Sequence, residues 1–155
     1  MSVRPGVRLG VDWGKARIGV AACDREAILC FPVETIAAKA DPIARLLDLV
    51  REYQPIELIL GMPKTLAGDD GPAAEWMRGI AAQIQRGVPD LPLRLVDERL
   101  STVSASTLLR QAGRDSRSQR AVIDQAAAVA ILENAIEYER GTGQEPGELF
   151  SEGLT

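Results

Sequence analysis

Hydrophobic residues follow two rhythms along this chain. Short apolar runs at 7–12, 18–23 and 28–36 read as three consecutive strands, with a turn from Trp13 to Arg17 joining the first two. Pro32 lies inside the third run and marks it as an edge strand, because proline cannot donate to a neighbour on both sides. Runs at 56–60 and 91–96 read as two further strands; the first is continuously apolar, as expected of a parallel strand covered on both faces. Helical spacing occupies the intervals. Ile43, Leu46, Leu47, Leu49 and Val50 form a stripe that follows Asp41-Pro42 and stops before Gln54-Pro55. Pro72 opens a second helix to about Gln85, a third runs from about Ser101 to Ala112 before Gly113, and a fourth from about Ala121 to Tyr138. The order predicts an α/β chain with a sheet and helices on its faces.

A chain of 155 residues is long enough to bury its core without disulfides or metal staples, so one domain is expected over 1–140. From Gly141 the tail is rich in Gly, Glu and Pro, and 141–155 is expected to be disordered. The chain carries 18 basic and 22 acidic residues, net −4, which argues against a generic nucleic-acid coat. No run approaches the roughly 18 apolar residues of a membrane span, and the Met-Ser-Val-Arg start has no apolar signal core; a cytoplasmic protein without membrane attachment is expected.

There is no histidine, which removes His-based hydrolase triads and His-metal hydrolases. Cys23 and Cys30 alone cannot complete a four-ligand zinc site; they are expected on neighbouring hairpin strands as inert thiols. Carboxylates are left as the leading candidates for chemistry. Asp12 ends an apolar strand and is followed by Gly14, Lys15 and Arg17, which is poor core material; an Asp that merely starts a hairpin turn is the plainer account. Asp97 and Glu98 end another strand. Alternation prevents both from facing one site, and the residues alone do not choose between them. Asp124 shares a helical face with Ala127, Ala128, Ile131 and Ala135, so it needs a partner or a cation. Positive charge gathers at Arg110, Arg114, Arg117 and Arg120 against the single Asp115, a candidate phosphate contact. Lys64 stands in a long loop beyond the strand that ends near Leu60, whereas Asp69 and Asp70 in the same loop read as turn formers. If the three acids converge, an oxygen-only site suits Mg²⁺ or Mn²⁺ and metal-assisted phosphodiester cleavage.

Four stretches in this order, the run from Leu9 through Asp12 and Gly14 to Gly19-Val20, Gly61-Met62-Pro63 with Gly68, Asp97-Glu98-Arg99-Leu100-Ser101-Thr102, and Val122-Ile123-Asp124 continuing to Leu132, closely resemble the YqgF/RuvX family. The resemblance covers about Arg8 to Tyr138. It implies an RNase H-like fold, a mixed five-stranded sheet with helices on both faces, and a nuclease. Members are described as Holliday-junction resolvases and as nucleases maturing the 5′ end of pre-16S ribosomal RNA. Carried over, the metal-binding and catalytic acids are Asp12, Glu98 and Asp124, which selects Glu98 over Asp97 by analogy. Lys15, Arg17, Lys64, Arg114, Arg117 and Arg120 are then the nucleic-acid contacts, to pre-rRNA or branched DNA. Paired cutting of a junction calls for a symmetric homodimer. The competing class is a non-catalytic nucleic-acid or ribosome-associated binding module on the same fold. Two features depart from the family pattern. Arg120 is the nearest cation before Ile123-Asp124, where many relatives carry a lysine, and Trp13 is bulkier than usual, a base-stacking or a core residue.

Overall fold

Three antiparallel strands followed by two parallel ones require crossovers, and the helical stripes supply them. The computed structural model describes residues 3–63, 71–97 and 116–151, with side chains in the last helix described from Ile123 onward. The chain forms β1 (Arg8–Trp13), β2 (Arg17–Cys23), β3 (Cys30–Ala37), α1 (Pro42–Tyr53), β4 (Glu57–Met62), α2 (Pro72–Gly87), β5 (Leu93–Asp97), α3 (Ser116–Thr142) and β6 (Glu148–Leu149). The sheet order is β3-β2-β1-β4-β5-β6. β1–β2, β2–β3 and β5–β6 are antiparallel, and β1–β4 and β4–β5 parallel. β3 is an edge strand, as Pro32 predicts, and the register shifts opposite it between Val20 and Ala21. The helix expected at about 101–112 lies outside the described residues.

Each face of the sheet has its own core. Leu9, Val11, Trp13, Ile18, Val20, Leu58, Leu60, Met62, Leu93 and Leu95 point toward α1 and α2, where they meet Leu46, Leu49, Met77 and Ile84. Ala21, Cys23 and Ile59 point the other way, against Ala128, Ile131, Leu132, Ala135 and Ile136 of α3. Each fully buried leucine stabilises the fold by roughly 1.5–3 kcal/mol. Trp13 is core, packed on the α1/α2 side. Helix α1 is bounded as its sequence dictates: the Asp41 side chain accepts from the Ala44 N–H, Pro42 occupies the first turn, and Gln54 ends it in the left-handed conformation.

Two parts of the fold go beyond the sequence reading. The tail expected to be disordered is ordered through Ser151. Gly143, at φ 72°, ends α3 by donating to the Glu139 carbonyl. Two residues then pair with β5 as a sixth strand, so the sheet has six strands rather than five. The Phe150 ring is buried in the α1/α2 core and its N–H donates to the Leu93 carbonyl. An uncovered β5 would present unpaired backbone, and the tail covers it through strand pairing, the buried Phe150 ring and the Arg94–Glu145 and Arg78–Glu148 pairs.

The second is a buried ion cluster where β1 and β4 begin and α3 nears its end. Glu139 accepts from the Arg4 backbone N–H at 2.8 Å, from Arg4 Nη2 at 2.7 Å and from Arg8 Nη2 at 3.2 Å. Glu57 accepts from Arg4 Nη2 at 3.0 Å and lies 3.7 Å from Arg8 Nε. Arg8 and Glu57 are each 1 % exposed. Arg94 faces Glu57 and pairs with Glu145, which brings the tail into the same cluster.

Candidate functional site

The site end of the sheet is set by one row of residues. Asp12 on β1 is the register partner of Gly19 on β2, and Gly19 is the partner of Thr35 on β3. Antiparallel partners project to the same face, so Asp12, Gly19 and Thr35 share the side covered by α3. A Cβ on Gly19 would overlap the Asp124 carbonyl and lie 3.2 Å from the Asp124 Cα; a Cβ on Gly10 would lie 2.8 Å from Leu132 Cβ. These two glycines let the helix backbone settle on the strands, and the first of them sets Asp124 beside Asp12. The neighbouring Gln125 donates to Thr35 Oγ1 at 3.0 Å and fixes the helix over the same row.

Arg17 stands two residues before Gly19 and therefore on the same face. Its Nε donates to Asp124 Oδ2 at 2.6 Å. The Asp124 side chain is 16 % exposed and that of Arg17 37 %, so the carboxylate is largely withdrawn from water while its partner is not. The sequence asked for a partner or a cation for Asp124, and the described structure contains the partner. Arg17, expected at the nucleic acid, lies instead against one of the expected metal acids. Lys15 lies exposed in the turn that Gly14 closes by donating to the Arg17 carbonyl at 3.0 Å.

Asp97 is the register partner of Met62 and has the parity of Leu93 and Leu95, which face α1 and α2. Arg94 and Val96 have the parity of the α3 face, where Val96 packs. Asp97 thus falls out of phase with Asp12. Glu98, Lys64 and Arg114 lie outside the described residues, and of Arg117 and Arg120 only the helical backbone is described. Among the described residues no group of three potential ligands is close enough to hold a metal ion. Cys23 and Cys30 are register partners across the hairpin, as expected. Burial pushes the Cys30 thiol up to about 12 and raises that of Cys23, so neither is a ready thiolate at neutral pH.

The donor chemistry on this row fits a hard cation. Asp12 and Asp124 offer carboxylate oxygens only, the chain holds no histidine, and both thiols lie toward the other end of the hairpin. No described helix is long and apolar enough to cross a membrane.

Residues 6–138 match the sequence profile of a family described as "RuvX: Holliday junction resolvase". Over 150 residues the chain is 52 % identical to a Streptomyces avermitilis protein named "Putative pre-16S rRNA nuclease", covering 96 % of each chain. It is 53 % identical over 135 residues to a protein of the same name from Cutibacterium acnes, covering 87 % of this chain and 84 % of that one. The structure is similar to that of T. thermophilus RuvC in complex with Holliday junction substrate, with a TM-score of 0.59 at 14 % identity over 90 % of this chain and 98 % of the other. It also resembles the Fowlpox virus resolvase solved with its substrate Holliday junction DNA, with a TM-score of 0.52 at 12 % identity over 89 % and 99 %. Identities this low show a shared fold, the RNase H-like one.

Proposed function

The chain belongs to the RuvX family, and on that premise we propose that it is a divalent-metal-dependent nuclease whose metal-binding and catalytic acids are Asp12, Glu98 and Asp124. It is a hydrolase of phosphodiester bonds. The observation that carries the site is the close approach at Gly19, which puts the Asp124 backbone over the register partner of Asp12. Asp97 has the parity of the α1/α2 face, out of phase with Asp12, so the third acid is kept at Glu98, the position the family resemblance selects.

Mg²⁺ or Mn²⁺ bound to these oxygens supplies Lewis-acid stabilisation of the leaving oxygen and water of lowered pKa. The chain's own part is to hold the carboxylates in phase. Strand β1 fixes Asp12, and the Gly19 and Gln125 contacts fix the turn of α3 that carries Asp124. Lys15, Arg17, Lys64, Arg114, Arg117 and Arg120 contribute positive charge to a substrate phosphate backbone.

The substrate favoured here is the 5′ leader of precursor 16S rRNA, acted on in the cytoplasm. Relatives at 52–53 % identity bear that name, whereas likeness to the junction resolvases is at 14 % or less. Trimming RNA needs one site; resolving a junction needs two coordinated cuts and a symmetric dimer. The test sets a labelled rRNA leader beside a four-way DNA junction, each with Mn²⁺, Mg²⁺ and chelator, and uses Asp12→Asn as the control. That change removes a ligand charge at nearly constant volume, so cleavage is expected to disappear while the fold remains. Metal-dependent cutting of the leader alone supports the reading, and cutting of the junction alone by a dimer transfers it to resolution. Wild-type cleavage by Asp12→Asn overturns the site. Binding without cutting in every metal condition replaces the nuclease with the non-catalytic binding module.

A further inference from the structure

The ion pair between Arg17 and Asp124 places a fixed cation where the metal reading needs a mobile one. We propose that Arg17 is an internal counter-cation: it holds the Asp124 carboxylate until a divalent ion takes over that oxygen, and the released guanidinium then binds a phosphate of the substrate. This rests on the reading of Asp124 as a metal ligand. Arg17 is thereby a positioning residue in one state and a substrate contact in the other.

Three features of the pair support exchange rather than permanence. The Asp124 side chain is mostly buried, on the helix face turned to the sheet, and a carboxylate there is costly to leave without a counter-charge. Among the described residues Arg17 nevertheless meets it through a single donor, Nε, on a single oxygen, Oδ2. A guanidinium has five N–H groups in a fixed fork, and among the described residues its two Nη groups make no hydrogen bond, which suits a bidentate phosphate contact. Arg17 is also more than a third exposed and stands at the start of β2, next to the turn that carries the exposed Lys15. A pair this open contributes little net stability, and a doubly charged ion can displace it. The pairing at Glu139 is of the opposite kind, with two arginines and four donors on one carboxylate.

Competition for one carboxylate has a defined thermodynamic signature. If the divalent ion displaces Arg17 and the freed Arg17 grips phosphate, metal and nucleic acid favour each other's binding, and that coupling runs through Arg17. Removing the side chain therefore moves two affinities in opposite directions. In Arg17→Gln, Mn²⁺ is expected to bind the nucleic-acid-free protein about tenfold more tightly, since the competing charge is gone. The same variant is expected to bind a phosphorothioate-protected RNA leader as wild type does in chelator, where Arg17 is engaged with Asp124. With Mn²⁺ present it is expected to bind that RNA about tenfold more weakly, the loss of one charge-assisted phosphate contact. Arg17→Lys, which keeps the charge, restores the wild-type order of Mn²⁺ affinity.

Mn²⁺ affinity is read by calorimetry or electron paramagnetic resonance, and RNA affinity by fluorescence anisotropy. The proposal is overturned if Arg17→Gln binds Mn²⁺ no more tightly than wild type, or if its RNA affinity falls equally with and without the ion. Asp124→Asn separates this failure from that of the underlying site. If Asp124→Asn loses Mn²⁺ affinity while Arg17→Gln is unchanged, the counter-cation role alone is wrong. If Asp124→Asn binds Mn²⁺ as wild type does, Asp124 is not a ligand and the metal-site assignment fails with it.

Discussion

Helix α3 carries one acid at each end of its described part, and the two are held in opposite ways. Glu139 takes four hydrogen bonds from two arginines, one of them 1 % exposed, in a cluster where Arg4, Arg8 and Arg94 face Glu57, Glu139 and Glu145. Among the described residues Asp124 takes one bond from one arginine that is open to water. Charges withdrawn from solvent persist when their partners are supplied, and Glu139 meets that condition even though Glu57 Oε2 and Arg94 Nε in the same cluster lack a hydrogen-bond partner among the described residues. The Asp124 arrangement is a single ion pair with a half-open partner, and it leaves room for a replacement. The chemical group and the helix are the same; the number of partners separates a clasp from a site.

The sharpest way to break this contrast is to remove the clasp. Glu139→Ala takes one carboxylate from the buried Arg8, leaving it the Gly6 carbonyl and Glu57 at 3.7 Å, and a loss of about 3–5 kcal/mol is expected from urea unfolding. The matching change at the other end, Arg17→Gln, is expected to cost less than about 1 kcal/mol because its pair is partly exposed. Equal losses would abolish the distinction. Next comes Gly19→Ala. Its Cβ overlaps the Asp124 carbonyl, so the helix must lift locally at an expected cost of about 1–3 kcal/mol. Cleavage is expected to fall far more than stability does, because Asp12 and Asp124 are moved apart. Cutting at the wild-type rate by the Gly19→Ala variant would show that the two acids need not be neighbours.

The smallest effect is a dependence on pH. Burial raises the Glu139 carboxyl, but hydrogen bonds from the Arg4 side chain and backbone, with the charges of Arg8 and Arg4, outweigh it and hold the group below the ordinary carboxylate range. Glu34 is lowered in the same sense by its hydrogen bond from Arg45. A depressed folded value means that the stabilising contribution is complete above the unfolded glutamate value of about 4.3 and disappears as pH falls through the folded one. Tm is expected to be level from neutrality to about pH 5 and to decline below about pH 4. That acid limb should be shallower in Glu139→Gln, and identical limbs would show that the clasp does not govern acid unfolding.

Much of this was legible from single residues. Asp12 and Asp124 stood out because acids at apolar strand ends and on apolar helix faces need an explanation, and the register brings them together. The partner of Asp124 was not legible: Arg17 is 107 residues away in sequence, and only the fold makes them neighbours. Arg8 and Glu57 gave no signal because charged residues at strand starts are ordinary; their burial follows from the end of α3 and the chain's N-terminal segment lying over them. The tail was misread since its Gly and Glu content masked Phe150, one aromatic that suffices to anchor a two-residue strand. Trp13 could not be assigned without knowing that β1 turns its odd positions, Leu9, Val11 and Trp13, toward α1 and α2.

Asp124 and Glu139 are fifteen residues apart on one continuous helix, about 22 Å at 1.5 Å per residue. Each residue also turns the helix by about 100°, so the two acids are clocked to one another. Substitutions between them leave that phase intact. A single insertion or deletion does not: with Glu139 held by its arginines, Asp124 would swing about 100° off the strand row. This interval of α3 should therefore accept changes of residue type far more readily than changes of length, a constraint on how the gene can drift that no individual side chain reveals.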